Sequence, residues 1–487
     1  MVDLPLASLV TTLDLSRWQF ALTTLIHFSI VAVTIGLTFQ VALLQTRWLR
    51  TRDEQYLRLT KYYARPMLIS FAVGVVTGLL QTFQFGMNWS GFSTYMGDIF
   101  GAPLALEGLG AFFIEAVFLG LWVFGWGKLS PRVHLASLWV VVTATVVSAF
   151  AILTANSWMQ NPRGYRLVDG RAEVTDVSAI FFNPDVGLTV AHVVFTALLT
   201  GSAVVLAIAA WQIGRGYEVA AFRRAAVQAC VVGLAAGTLG MTAGHFQGVR
   251  ALENQPMKMA AAEALYRTES PAALSLFAIG PLKANPGEPT FNVSVPGLLS
   301  LLNDFSLNST VRGIDDLQRE AEAEFGPGNY VPIVPLLYWS FRLMLGSGLA
   351  LVGLMGMGLW LLRRQQPLHA SRAGRVFLRV APLAVALPFI ASAGGWILRE
   401  VGRQPWAIQG LLKTQDAVSA LPAGAVVVSL VVFLGIYAIA ATIGLQTIRR
   451  ELQLGLPAAT GATPEQPEPT PPPTRREETT GQLAISY

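Results

Sequence analysis

The sequence predicts an all-α, polytopic membrane protein with nine transmembrane helices in bundles. Three observations carry this. Of 487 residues, 53% are hydrophobic and only 13% charged, where a soluble domain has roughly a quarter charged. Mean hydropathy is +0.51. Apolar runs long enough to cross a bilayer recur along almost the whole chain. Basic residues gather in alternate connecting segments, as they do on the cytoplasmic side of membrane proteins.

The predicted spans are 18–45, 67–86, 101–126, 133–156, 187–213, 225–246, 336–362, 376–398 and 422–447. Each supplies the roughly 20 residues a bilayer requires. Arg47, Arg50, Arg52, Arg58, Lys61 and Arg65 follow the first span; Lys128 and Arg132 follow the third. Arg215, Arg223 and Arg224 follow the fifth, Arg363, Arg364, Arg372 and Arg375 the seventh, and Arg449 and Arg450 the last. These segments form one basic side, which places the N-terminus outside and the C-terminus in the cytoplasm. The formal charge of +5 is explained by these loops and calls for no nucleic acid. The single cysteine, Cys230, excludes an intrachain disulfide, a thiolate zinc site and a cysteine-held iron–sulfur cluster. The first residues have no basic region before an apolar one and do not read as a cleaved signal peptide.

The chain divides into helices 1–6 (1–246), a long outer loop (247–335), helices 7–9 (336–450) and a tail (451–487). A structureless loop of that length is unusual, so a folded functional element is expected, with helical pieces near 256–269 and 312–325. The stretch PEQPEPTPPP marks the tail as disordered.

Ionisable residues within spans are costly and tend to mark function. His134 and His369 lie in basic loops and read as solvated. His27, His192 and His245 lie in spans or at their ends. At 1.5 Å per residue, His192 sits roughly 8 Å into span 5 and Met344 roughly 12 Å into span 7. They could meet at one level as a His/Met haem pair, although methionine more often fills core gaps. His27 sits roughly 14 Å into span 1. Glu107 and Glu115 lie on one helix, roughly 12 Å of rise apart. Either they relay protons or they pair with basic residues of neighbouring helices.

The stretch GGWILREVGRQPW, 394–406, ends a greasy span with one carboxylate, Glu400, between Arg399 and Arg403, and with Trp396 and Trp406. An interfacial belt would explain the tryptophans. A site needing one anionic ligand, with cations for bound carboxylates such as haem propionates, would explain the rest. In QPMKMAAAE, Pro256 starts a helix. Lys258 and Glu263 then stand about one and a half turns apart, on either an ordinary surface helix or a site.

Taken together, SRWQFALTTLIHF, FQFGMNW, FGAPLALEGLGAFFIEAVFLGLWVFGW, ANSWMQNPRG, QPMKMAAAE, YWSFRLM and GWILREVGRQPWAI resemble, in family order, subunit I of the cytochrome bd-type quinol oxidases. The resemblance spans roughly residues 12–450. It implies a terminal respiratory oxidase of the bacterial cytoplasmic membrane, oxidising membrane quinol at the outer side and reducing O₂ with cytoplasmic protons. Such an enzyme is electrogenic without pumping. The implied cofactors are two b-type haems and one d-type haem, replaced by b in some members. The implied partners are a second membrane subunit and small single-span accessory subunits.

By matching motif, the resemblance makes His192 and Met344 the ligands of the low-spin b haem, with Arg342 beside it. His27 becomes the axial ligand of one haem of the oxygen-reducing pair, and Glu400 serves the other. Trp396 lies between centres and Arg403 near propionates. Glu107 and Glu115 line the proton route and haem pocket, and Arg17 and Asn156 belong to the haem-proximal framework. Lys258 and Glu263 handle the quinol head group. Thr82 stands where many relatives have a glutamate, and the loop is of the shorter type, from which no quinone preference is read. Relatives differ in which high-spin haem takes the His27 place. A transporter with ion-carrying glutamates, needing no haem, and a b-haem electron-transfer protein, needing His192 and Met344 alone, are the competing readings.

Overall fold

The computed structural model describes residues 11–281, 283–364 and 366–457. Among them, nine helices are long and apolar enough to cross a membrane. The first is α1 (Thr12–Thr51). Its start is fixed by a reciprocal capping box between Thr11 and Asp14. α2 (Glu54–Met87) begins at an Asp53 cap. The third crossing is composite: α3 (Ser90–Ala105), a π-helical segment Leu106–Phe112, and α4 (Phe113–Phe124). α5 (Pro131–Gln160) starts with proline at its first position, where the missing N–H costs nothing. A hairpin of β1 (Tyr165–Val168) and β2 (Arg171–Val174) and the short α6 (Val177–Phe181) lead to α7 (Pro184–Gly214) and α8 (Val219–Asn254).

The long segment after α8 is folded. It contains α9 (Pro256–Glu263), an antiparallel pair β3 (Leu274–Ile279) and β4 (Phe291–Val295), α10 (Leu298–Asp304) and α11 (Ile314–Phe325). α12 (Val334–Arg363) re-enters the bundle. The eighth crossing is α13 (Arg372–Leu383), one 3-10 turn, and α14 (Leu387–Val401). β5 (Trp406–Ile408), β6 (Leu412–Lys413) and α15 (Thr414–Ala417) precede α16 (Ala423–Gln453). Most of the expected tail lies outside the described residues.

α7 packs along both α1 and α8, and α12 lies against α8 and α14. Small residues permit the close crossings. A Cβ on Gly36 would fall 2.2 Å from the Ala197 carbonyl oxygen, and one on Gly201 2.2 Å from the Gly36 carbonyl carbon, so α1 and α7 touch main chain to main chain, the contact that small residues allow between membrane helices. The largest apolar core lies toward the basic end of the bundle and includes Leu44, Tyr62, Phe222 and Phe377. A separate cluster pins the long segment to α12 through Ala260, Tyr266, Leu317 and Leu337.

His134 corrects the sequence reading. It is not a solvated loop histidine but a buried one, 3% exposed, inside α5. Its Nε2 faces the Trp122 carbonyl at 2.7 Å, and its Nδ1 faces the Gln45 amide at 2.8 Å. Trp122 Nε1 donates to the same glutamine. Both ring nitrogens are spent on structure. His369 is exposed, as expected.

Candidate functional site

The two histidines expected to bind iron are each anchored through Nδ1. His192 Nδ1 lies 2.8 Å from the Gly240 carbonyl. A carbonyl only accepts, so Nδ1 carries the proton and the Nε2 lone pair is free. His27 Nδ1 lies 2.9 Å from the Thr77 hydroxyl. That hydroxyl directs its own hydrogen to the Val73 or Gly74 carbonyl, at 2.9 and 3.0 Å. With its hydrogen so directed, its oxygen accepts from His27; in either direction Nδ1 is engaged and Nε2 has no part in the bond. This is the arrangement in which an outer partner fixes a metal-ligating imidazole. His245 packs instead on Phe246 and Phe305.

Three of the four expected ligand side chains, those of His27, His192 and Met344, also rest against a glycine of a neighbouring helix. A Cβ at Gly78 of α2 would meet His27 Cε1 at 3.0 Å. A Cβ at Gly244 of α8 would meet the His192 ring at 2.9 Å, and one at Gly395 of α14 would meet Met344 Sδ at 2.9 Å. The helices carrying His192 and Met344, α7 and α12, share α8 as a neighbour.

The stretch 394–406 is no interfacial belt. Trp396 stacks on Phe28, beside His27, with centroids 5.1 Å apart. Trp406 is buried between Phe325 and Tyr330. Glu400 Oε2 accepts from Arg403 at 2.5 Å, and Oε1 accepts from Asn156 at 2.8 Å. Arg399 reaches the other side of the same asparagine, and Ser157. Arg17 donates to Gln404 at 3.1 Å.

Two guanidinium nitrogens here, Arg17 Nε and Arg403 Nη1, are buried without a partner among the described residues. An unmatched buried donor is costly, and an anionic group such as a propionate would satisfy it. The residues therefore fit haem. Among the described residues, no three His, Cys, Asp or Glu side chains converge on one point. A porphyrin brings four nitrogens and asks the protein for one or two axial ligands only.

Among the described residues, the glutamates of the third crossing pair with no basic side chain. Glu115 is buried and accepts from Thr145 at 2.7 Å; Glu107, half-buried, accepts from Ser148 at 3.3 Å. Both hydroxyls lie on α5, three residues apart and so on one face. The π-helical segment starts one residue before Glu107 and ends three before Glu115, the kind of irregularity that recurs at functional sites.

Nor is α9 a surface helix. Lys258 and Glu263 are 7% and 6% exposed. Glu263 pairs with Arg342 at 2.6 Å. Arg342 also donates to the Ala262 and Ser275 carbonyls and lies 4.0 Å over the Tyr338 ring. Burial pushes the Glu263 carboxyl above its ordinary value, and Arg342 partly offsets this. Burial, with Arg399 and Arg403 nearby, pushes Lys258 well down. Thr82 lies on the exposed side of α2 and bonds only its own helix, at the Gly78 carbonyl.

Sequence reasoning missed Thr77, Thr145, Ser148 and Gln404, which carry no signal until a partner faces them. The glycines at 233, 237, 240, 244 and 248 did offer one, a small-residue stripe along one helix.

Residues 15–456 match the family described as cytochrome bd terminal oxidase subunit I. A Bacillus subtilis protein named cytochrome bd ubiquinol oxidase subunit 1 is 41% identical, over 92% of this chain and 94% of its own. An Escherichia coli protein named cytochrome bd-II ubiquinol oxidase subunit 1 is 34% identical, over 93% and 99%. The solved structure of bd oxidase from Geobacillus thermodenitrificans superposes with a TM-score of 0.81 at 28% identity, covering 90% of this chain and 98% of that one. With a family match across nearly all its described residues and relatives aligned end to end, the chain belongs to the cytochrome bd terminal oxidase subunit I family.

Proposed function

We propose that this chain is the haem-bearing subunit of a bacterial membrane quinol:O₂ oxidoreductase. The observation that carries the reading is the pair of imidazoles anchored through Nδ1, His27 by Thr77 and His192 by Gly240, with Nε2 outside both bonds. The names of the relatives, ubiquinol oxidases, support it. Two b haems and one d-type or third b haem would be held by His192 and Met344, by His27, and beside Glu400. When bound, they supply the electron carriers and the iron at which O₂ is reduced to water.

The protein's own groups do the rest. Glu263, raised by burial, takes a proton from the quinol hydroxyl, and Arg342 holds that carboxylate in place. Lys258 donates to a quinol oxygen. Arg17 and Arg403 meet propionates, with Asn156 and Arg403 fixing Glu400. Trp396, stacked on Phe28, fills the space between centres. Glu115 and Glu107 pass protons in two steps toward the site, each steadied by a hydroxyl of α5. With the basic end cytoplasmic, quinol protons leave outside and the consumed protons enter from inside, so charge crosses without a pump. A second membrane subunit completes the complex, with single-span accessory subunits beside it.

The test is a reduced-minus-oxidised spectrum of the purified complex, with extracted haems identified. His192→Ala or Met344→Leu should remove the low-spin signal alone. An unchanged spectrum would refute that ligation, and no haem at all would return the chain to an ion-handling role.

A further inference from the structure

Gln160, the last residue of α5, is buried at 7% exposed. Both ends of its amide are engaged. Oε1 accepts from Lys258 Nζ at 2.6 Å. Nε2 donates to Glu400 Oε1 at 3.3 Å and to the Arg399 carbonyl at 3.4 Å. Its main-chain carbonyl accepts from Gln255 Nε2 at 2.6 Å. One residue thus receives two side chains from the start of the long loop segment and donates twice to α14.

We propose that Gln160 is a positioning residue that couples the head-group site of the loop to the Glu400 carboxylate, so that occupancy of one is felt at the other. This rests on the reading of Lys258 as a quinol ligand and of Glu400 as part of the oxygen-reducing site.

The amide cannot turn over. Glu400 is already the acceptor for Arg403 and Asn156, and a flipped amide would set an oxygen against that carboxylate. Nε2 therefore faces Glu400, and Oε1 is left for Lys258. Among the described residues this is the one hydrogen bond of Lys258 Nζ. The stem of Lys258 has little freedom, because a Cβ on Gly402 would fall 2.7 Å from its Cγ. The amine borders a cavity of about 50 Å³ lined also by Asp185, Thr189, Asn254 and Arg399, space enough for a water or a hydroxyl. Oε1 aims the amine into this space, and a quinol oxygen accepting a second bond from it pulls on the first. The rigid amide must then shift, and its bond to Glu400 shifts with it. The path is two contacts long and runs through one side chain.

The experiment uses the whole complex in lipid nanodiscs. Oxidised decylubiquinone is added as a ligand that cannot donate electrons, and the high-spin haem absorption is followed. Decylubiquinol oxidation is measured in parallel. The parent should show a band shift on quinone addition. Gln160→Met should raise KM roughly tenfold, about the upper worth of one hydrogen bond, and abolish the shift while haem content stays whole. A Gln160→Met complex with parental KM and parental band shift would overturn the proposal. Gln160→Glu covers the case in which the methionine variant loses haem. It keeps an acceptor for Lys258 but sets a second carboxylate beside Glu400, so KM should hold while the resting band moves. No movement there would count equally against the coupling. Lys258→Met separates the two layers of the argument. If it leaves KM unchanged, the quinol reading itself fails. If it raises KM while Gln160→Met does not, only the role of Gln160 fails.

Discussion

Replacing Gly244 with alanine places a methyl carbon 2.9 Å from both Cε1 and Nδ1 of His192. Carbon contacts are comfortable at about 3.5–4.0 Å, so the ring must retreat by roughly 0.6–1.1 Å. Its Nδ1 bond to Gly240, now 2.8 Å, would then stretch to about the limit of a hydrogen bond, near 3.5 Å. Overpacking costs about 1–3 kcal/mol and the lost bond about 1 kcal/mol. At roughly 1.4 kcal/mol per tenfold, ligation of the low-spin haem should weaken by roughly 30- to 700-fold. The assay is haem stoichiometry and the low-spin band in the reduced-minus-oxidised spectrum, with the high-spin bands as internal reference. Gly248→Ala, one turn further along α8 and with nothing within 4 Å of the new methyl, should leave the spectrum as it is. A Gly244→Ala complex with a full, unshifted low-spin band would refute the reasoning that α8 seats this imidazole.

Thr77→Val removes the hydrogen-bond partner of His27 Nδ1; an unmatched buried donor or acceptor costs about 1–3 kcal/mol. One high-spin haem signal should shift or diminish while the low-spin band holds, as optical and paramagnetic resonance spectra would show. Glu263→Gln should slow quinol oxidation with haem content intact, because the amide cannot take a proton; a loss of haem would make Glu263 structural. Its pH profile follows from the raised carboxyl. Activity carried by the carboxylate grows as pH rises through that raised value, and Glu263→Gln should flatten the rise in kcat/KM. The same ionisation opposes folding: the stability conferred by the protonated form is present at low pH and lost as pH passes the folded value, which thermal melts across pH would detect. Thr145→Val combined with Ser148→Ala should lower O₂ turnover in proportion to proton delivery without changing KM for quinol, read from steady-state oxygen consumption.

Much of the site was readable in the chain because membrane cost makes polar residues conspicuous. Glu107, Glu115 and Glu400 stood out against long apolar runs, since an ionisable group in a span is rarely filler. His134 misled for a related reason. Basic neighbours placed it at a helix end, where solvation is the ordinary outcome, and only the fold of Trp122, Trp126 and Gln45 around it removed the water. α9 misled similarly: its pattern suits a surface helix, and it is buried because α11 and α12 close over it.

The sequence alone determined the number of crossings and the residues able to carry chemistry. Apolar length must match bilayer thickness, and intramembrane charge is penalised wherever it falls; both are local properties. Tertiary structure alone decided which nitrogen of His27 and His192 is engaged, what Glu107 and Glu115 accept from, and that Gln160 joins Lys258 to Glu400. Those outcomes depend on donors and acceptors tens to hundreds of residues apart along the chain, whose meeting is set by glycine-permitted helix crossings. A hydrogen bond has a direction only once both partners are in place.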